Sequence, residues 1–86
     1  MKINNNYILK KVLDNYIIID VSNDNKTIYK LNKISSVIFE SLEKGLTIDA
    51  IANLLVNTYN IDKNTAINDT NNLINELIKL NILIND

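Results

Sequence analysis

YKLNKISSVIFESLEKG, residues 29 to 45, begins with the alternation of a β-strand and continues with the spacing of an α-helix. Tyr29 and Leu31 share one face of an extended segment and Lys30 takes the other, a period of two. From Ile34 onward the apolar residues Val37, Ile38 and Leu42 return at intervals of three and four, which is the stripe of an amphipathic helix. Only Leu31-Asn32 separates the two patterns, and neither Gly nor Pro marks a loop. Asn32 resolves the corner by itself, because an Asn can end a strand and cap the first turn of the helix that follows it. Gly45, the only glycine in the chain, stands where a helix ending near Lys44 needs a left-handed residue.

Upstream of this corner the period stays near two. YILKKV (Tyr7 to Val12), YIIIDV (Tyr16 to Val21) and TIYKL (Thr27 to Leu31) are rich in Ile, Val, Tyr and Thr and predict a three-stranded antiparallel meander. Asp14-Asn15 and Asn23-Asp24-Asn25 are expected to supply the left-handed turn residues, since Asn and Asp tolerate positive φ and bond their own turn. Downstream the period stays at 3.6. The first helix spans about Lys33 to Lys44. Thr47 caps a second, with Asp49 in its first turn and Ile51, Leu54, Leu55 and Tyr59 along its apolar side; Asp62 caps a third that runs to about Leu80, where Asn81 stops it. ILIND is expected to add a short extended segment. The predicted fold class is α+β: a three-stranded antiparallel sheet followed by a three-helix bundle, with residues 1–86 as a single domain and residues 1–6 as a flexible N-terminus.

At 86 residues a chain buries only about 60% of the surface its unfolded form exposes, so its stability margin is thin. Its composition, 47% apolar and 22% charged, lies near the globular average and away from the disordered corner. Absence of Cys excludes disulfides and thiolate metal sites. The longest apolar runs, YIII and NILI, fall far short of the roughly 20 residues that span a bilayer, and polar KINNN after Met1 does not read as a signal peptide. The expected compartment is the cytoplasm. A formal charge of -1 gives no general attraction to nucleic acid or anionic lipid.

The order of elements, with YKLN at the junction, one Gly before LTIDAIANLL, then YNID and a long helix carrying AINDTNNLINELIKLNIL, resembles the PqqD-like proteins. These are the recognition elements that bind leader peptides of ribosomally synthesised, post-translationally modified precursors. The resemblance covers about Tyr7 to Leu83 and rests on apolar spacing together with Leu31-Asn32, Gly45, Tyr59 and Asp69. Family members often carry Trp where this chain has Phe39, a departure that bears on core packing. The resemblance implies a winged-helix-like fold in which a leader adds as a strand to the exposed edge of the third strand, in the cleft between it and the third helix. It further implies no catalysis and no cofactor, with the precursor presented to a modifying enzyme, often a radical SAM protein.

The residues support the same site on their own terms. Peptide capture by strand addition needs an unpaired strand edge for backbone bonds and an apolar wall for side-chain selection. Thr27, Ile28, Tyr29, Lys30 and Leu31 form an edge strand of the meander, and Lys30 is its one protecting charge. On the third helix Ala66, Thr70, Leu73, Leu77 and Leu80 form one stripe, and Ile67, Ile74 and Ile78 form a second beside it with Asn71 at its polar border. Either the first helix or the sheet covers that second stripe, or it lines the groove; the expected peptide site takes the latter and comprises Thr27 to Leu31 with Ile67, Asn71, Ile74 and Ile78. Asp69, set among apolar neighbours, is expected to bond backbone or a tyrosine hydroxyl inside the fold.

Catalysis has little support, because without His or Cys the usual nucleophile–base arrangements are missing. Glu40 and Glu43 share a helical face, but with Lys44 four residues after Glu40 they read as an exposed charge pattern. No metal site is predicted. The rival from another class is a winged helix-turn-helix DNA-binding protein, since two helices joined at Tyr59-Asn60-Ile61 match that motif. Its would-be recognition helix carries one Lys against Asp62, Asp69 and Glu76 over residues 62–76, the wrong sign for phosphate. A plain interaction module that pairs the strand edge with a second copy of itself is the third reading.

Overall fold

A computed structural model describes residues 1–85. The chain runs β1 (Lys2–Ile3), β2 (Tyr7–Val12), β3 (Asn15–Asp20), β4 (Lys26–Leu31), α1 (Lys33–Glu43), α2 (Ile48–Tyr59), α3 (Lys63–Lys79) and β5 (Leu83–Ile84). The expected α+β architecture is present. Strands β2, β3 and β4 form an antiparallel sheet in that order, and β1 pairs with β5 in a separate two-stranded ribbon.

Each helix starts where a side chain can accept the first unpaired N–H groups. Asn32 Oδ1 accepts from Ser35 N at 2.8 Å, Thr47 Oγ1 from Ala50 N at 3.1 Å, and Asp62 Oδ2 from Asn64 N at 3.1 Å and Thr65 N at 3.3 Å. These are the three caps that the sequence predicts. The stops are left-handed: Gly45 follows α1 at φ +82°, Asn60 caps α2 at φ +55° and Asn81 follows α3 at φ +60°.

The second hairpin also follows expectation, with Asp24 and Asn25 both at φ +56°. The first does not. Val12 pairs with Asn15, so its loop is only Leu13-Asp14, and positive φ falls on Leu13 at +57° instead of on Asp14 or Asn15. Two-residue hairpin loops put positive φ at their first position whatever residue stands there. Leu13 is 86% exposed, so no packing compensates for its backbone conformation.

Register sets the two faces of the sheet. Ile18 opposes Tyr29 and Tyr16 opposes Leu31, whereas Ile17 opposes Lys30. Ile18 and Leu31 belong to the core, so Tyr29 lies on the core side and Lys30 on the outer side. Ile19 then pairs with Thr27, leaving Ile28 as the extra residue of a bulge. The core proper joins Ile18 and Leu31 to Ile38, Phe39 and Leu42 of α1, Ile51 and Leu55 of α2, and Leu73, Ile74 and Leu77 of α3. Phe39 is fully enclosed within it. Buried hydroxyls are satisfied by carbonyls on their own helices: Ser36 donates to Lys33 O, Ser41 to Val37 O and Thr70 to Ala66 O.

Residues 1–6, expected to be a flexible N-terminus, are tied into the fold. Lys2 and Ile3 pair with Ile84 and Leu83, Asn4 N donates to Ile82 O at 2.7 Å, and Asn4 Nδ2 donates to Asn81 O at 3.1 Å. The anchor is C-terminal, because Ile82 and Leu83 are buried in the core and draw the N-terminal strand onto it. The extended segment expected over ILIND is β5 at Leu83–Ile84, and its last residue, Asp86, lies outside the described residues.

Burial, with Glu40 beside it as the smaller cause, pushes the Glu43 carboxyl above its ordinary pKa. Glu40 and Lys44 are exposed, as the charge pattern predicts, and form no ion pair with each other. A carboxyl whose folded-state pKa is raised contributes stability below the ordinary glutamate range, and that contribution is lost as pH rises through the folded value. Glu43→Gln should therefore melt higher than the parent near pH 7, and the gain should vanish toward about pH 3. The left-handed positions give an opposed pair of tests. A Cβ at Gly45 would meet no neighbour within 4 Å, so Gly45→Ala should cost only the left-handed backbone penalty, about 1 kcal/mol, whereas Leu13→Asn should gain a similar amount. Each corresponds to a shift of roughly 4–8 °C in Tm for a domain of this size.

Candidate functional site

β4 is an outer strand, so one row of its backbone N–H and C=O groups faces away from β3, with no strand beside it among the described residues. α3 packs chiefly on α2, with smaller contacts to α1 and β5, and stands off from the open side of β4. Between them lies a cavity of about 240 Å³. β4 and the corner contribute Tyr29 and Asn32, the first turn of α1 contributes Ile34 and Ser35, and α3 contributes Asp69, Asn72, Leu73 and Glu76. Its floor is apolar where Tyr29, Ile34 and Leu73 meet the core. Its α3 wall is polar and acidic.

The corner at Asn32 is what brings these groups together. With φ -83° and ψ 179° Asn32 is still extended, and its side chain already caps α1. Strand and helix are therefore joined with no slack, and the first turn of α1 is held at the end of β4.

The α3 wall follows from helical geometry. At 100° per residue, Ala66, Thr70, Leu73, Ile74 and Leu77, the residues buried on this helix, define the direction of the core. Asp69, Asn72 and Glu76 fall on one flank of that direction, toward β4; Ile67, Asn71 and Ile78 fall on the other. Of the residues expected to bind, Tyr29 lines the cavity. Leu31 is core, Ile28 sits in the bulge half-buried, and Thr27 and Lys30 are exposed, Lys30 on the outer face of the sheet. On α3, Ile74 is 5% exposed and inside the core, Ile67 packs against it, Asn71 is exposed, and Ile78 is 48% exposed. The second stripe therefore leads mostly into the protein interior.

Asn32, Ile34, Ser35, Asp69, Asn72, Leu73 and Glu76 line the cavity as well, outside the set that the apolar stripes of the sequence predict. One signal that could have found the α3 set is the polar run at positions 69, 72 and 76, three and four residues apart beside the main apolar stripe. Asp69 does not bond inside the fold as expected: its carboxylate is exposed and has no hydrogen-bond or ion-pair partner among the described residues. Glu76 lies 3.9 Å from Lys79 in an exposed pair, a contact of little energetic weight.

A second cavity, about 490 Å³, opens between the sheet and α1 and is lined by Leu9, Lys11, Tyr16, Lys33, Glu40 and Glu43. Lys11 and Lys33 both lie over the Tyr16 ring, at 5.6 and 5.4 Å from its centroid, and Lys33 Nζ donates to the Tyr16 hydroxyl at 3.3 Å. That hydroxyl is the main cause holding the Lys33 ammonium above its ordinary pKa. Lys33 is thus engaged away from the β4–α3 cleft. Among the described residues no group of three or more His, Cys, Asp or Glu is placed to hold a metal ion, and no helix is long and apolar enough to cross a membrane.

An antiparallel three-stranded sheet with an open last strand, running without a loop into a three-helix bundle that walls the cleft, defines a small α+β domain of the winged-helix-like class. The family model for coenzyme PQQ synthesis protein D (PqqD) matches residues 16–83, and the chain belongs to that family. Two solved structures share the whole fold. TbiB1 in complex with the TbiA(beta) leader peptide aligns at 20% sequence identity and a TM-score of 0.80 over 100% of both chains. Lasso peptide synthetase B1 complexed with the leader peptide aligns at 15% identity and a TM-score of 0.83, over 98% of this chain and 96% of that one. No curated protein matches the sequence.

The two flanks of α3 can be separated by truncation. Ile74→Ala should cost about 2–5 kcal/mol, as for other buried aliphatic truncations, and Ile74→Asp should abolish the cooperative thermal transition. Ile78→Ala should stay within about 0.5 kcal/mol. Equal losses at the two positions, measured by chemical denaturation, would mean that α3 is rotated from the orientation described.

Proposed function

We propose that this chain binds the leader segment of a ribosomally made precursor peptide, which adds as a strand to the open edge of β4 in the cleft against α3, and that it presents the precursor to a modifying enzyme. The observation that carries this reading is the coincidence of an unpaired strand edge with a cavity floored by Tyr29, Ile34 and Leu73. Strand addition draws its affinity from main-chain bonds to such an edge and its selectivity from the adjacent pocket. Membership of the PqqD family supports it, as do the leader peptides bound to the two structures of the same fold. The chain acts in this reading as a non-catalytic carrier in the cytoplasm, where a ribosomal precursor is made, and its own chemistry is that of recognition.

Winged helix-turn-helix DNA binding is disfavoured by charge. The face that α3 turns to the cleft carries Asp69 and Glu76 and no lysine, and phosphate contact depends on cations.

A random-peptide display library panned on the immobilised protein supplies the test. Peptides should enrich, and an enriched peptide should shift backbone amide resonances over residues 26–32 and 69–76 while leaving those of β2 unmoved. Asn72→Trp, which fills the cleft from an exposed position, should weaken that peptide at least about tenfold, or roughly 1.4 kcal/mol, with an unchanged melting temperature. Random duplex DNA at moderate salt should give no saturable binding. Enrichment of no peptide, or resonance shifts confined to the outer face of the sheet, would overturn the reading.

A further inference from the structure

The cleft has a sign as well as a shape. Its lining holds two carboxylates, Asp69 and Glu76, and no basic residue. The lysines nearest it in sequence leave Asp69 unpaired: Lys30 lies on the outer face of the sheet, opposite Ile17; Lys33 is bonded to Tyr16 and stacked on its ring; Lys79 pairs with Glu76 at 3.9 Å, an exposed contact of little weight. The Asp69 carboxylate has no partner among the described residues. A strand entering this cleft therefore meets an apolar floor with negative charge along the helical side, unpaired at Asp69 and only weakly paired at Glu76.

Spacing makes the match specific. Asp69 precedes Leu73 by four residues and Glu76 follows it by three, which at 1.5 Å per residue places them about 6 Å before and about 4.5 Å after it along the helix axis. Successive same-face residues of an added strand stand about 6.7 Å apart. An apolar side chain seated over Tyr29, Ile34 and Leu73 thus puts the residues two positions away beside one or the other carboxylate. A flexible lysine or arginine spans the remaining difference.

Resting on the reading of the chain as a leader-binding domain, we propose that the cleft selects a cationic leader, in which an apolar anchor residue is accompanied at two positions' distance, on one side or both, by Lys or Arg. Asp69 and Glu76 are the specificity-determining residues. Tyr29, Ile34 and Leu73 hold the anchor, and the β4 edge supplies affinity without regard to sequence. Acidic leaders are rejected by like charge at close range, a discrimination that backbone pairing cannot provide.

The test pans one random-peptide library against three proteins: the parent, the neutral pair Asp69→Asn/Glu76→Gln and the reversed pair Asp69→Lys/Glu76→Lys. All four substitutions are at two positions that line the cleft, and thermal melts check that each variant folds. The parent should enrich Lys and Arg two residues from an apolar position several-fold over the input library. The neutral pair should still enrich peptides but lose that bias, and the reversed pair should enrich Asp and Glu in the same places. A parent-selected peptide should bind the neutral pair about tenfold more weakly at low salt, with the gap closing as salt screens the charges. Peptides enriched on the parent without a cationic bias, or a bias that survives neutralisation and reversal, would overturn the proposal while leaving leader binding intact. Enrichment on none of the three would remove leader binding and this proposal with it. Should the reversed pair fail to fold, the neutral pair decides by itself.

Discussion

One side chain fixes the relation between sheet and bundle. Asn32 keeps an extended backbone, so β4 continues through Leu31, and its Oδ1 takes the Ser35 amide at 2.8 Å, so α1 begins at the next residue. A loop at this point would let the strand and helix choose their angle; a single shared residue does not. Because α1 starts against the end of β4, Leu31 on the strand and Ile38, Phe39 and Leu42 on the helix enter one core. The same constraint leaves Ile34 and Ser35 at the mouth of the cleft beside Tyr29.

Closure of the core from the other end depends on the C-terminal turn. Asn81 takes a left-handed conformation, Ile82 N bonds back to Leu77 O at 2.9 Å, and the chain reverses so that Ile82 and Leu83 fall into the core. β1 then pairs along this returning segment. A domain of this size has little apolar surface to spare, and the ribbon of its two termini covers core that the three-stranded sheet and bundle leave open. With both ends pinned, α3 is braced by α2, α1 and β5. It can stand away from β4 without collapsing onto it, which keeps the strand edge open.

The division of labour along α3 follows from geometry. Its buried direction is shared by Ala66, Thr70, Leu73, Ile74 and Leu77, and Leu73 at one margin of that arc serves both core and cleft floor. The flank toward β4 is polar, and the flank away from it carries Ile67 and Ile78. An edge strand beside a polar wall is less prone to indiscriminate apolar association than one beside a greasy wall. Selectivity then resides in a few side chains around a backbone site that is open to any extended peptide.

Local chemistry was legible in the sequence because it acts over a few residues. Caps at Asn32, Thr47 and Asp62, the left-handed stop at Gly45, the stop at Asn81, the span of β2 and the change of period at residue 31 all arise from interactions within one turn or one hairpin. The miss in the first hairpin, Leu13 taking the positive φ in place of Asp14, came from a loop length that only strand register specifies. Register, the bulge at Ile28 and the pairing of Lys2–Ile3 with Leu83–Ile84 depend on residues far apart in the chain, and no local pattern encodes them. The candidate site divides along the same line. Sequence periodicity identified an open strand and a long amphipathic helix and gave Tyr29 its face. It could not say which flank of α3 turns toward β4, because a helix with apolar residues on both margins of its buried arc can be rotated either way at nearly equal hydrophobic gain. Tertiary packing on α2, α1 and β5 made that choice, directing Ile74 into the core and Asp69, Asn72 and Glu76 into the cleft.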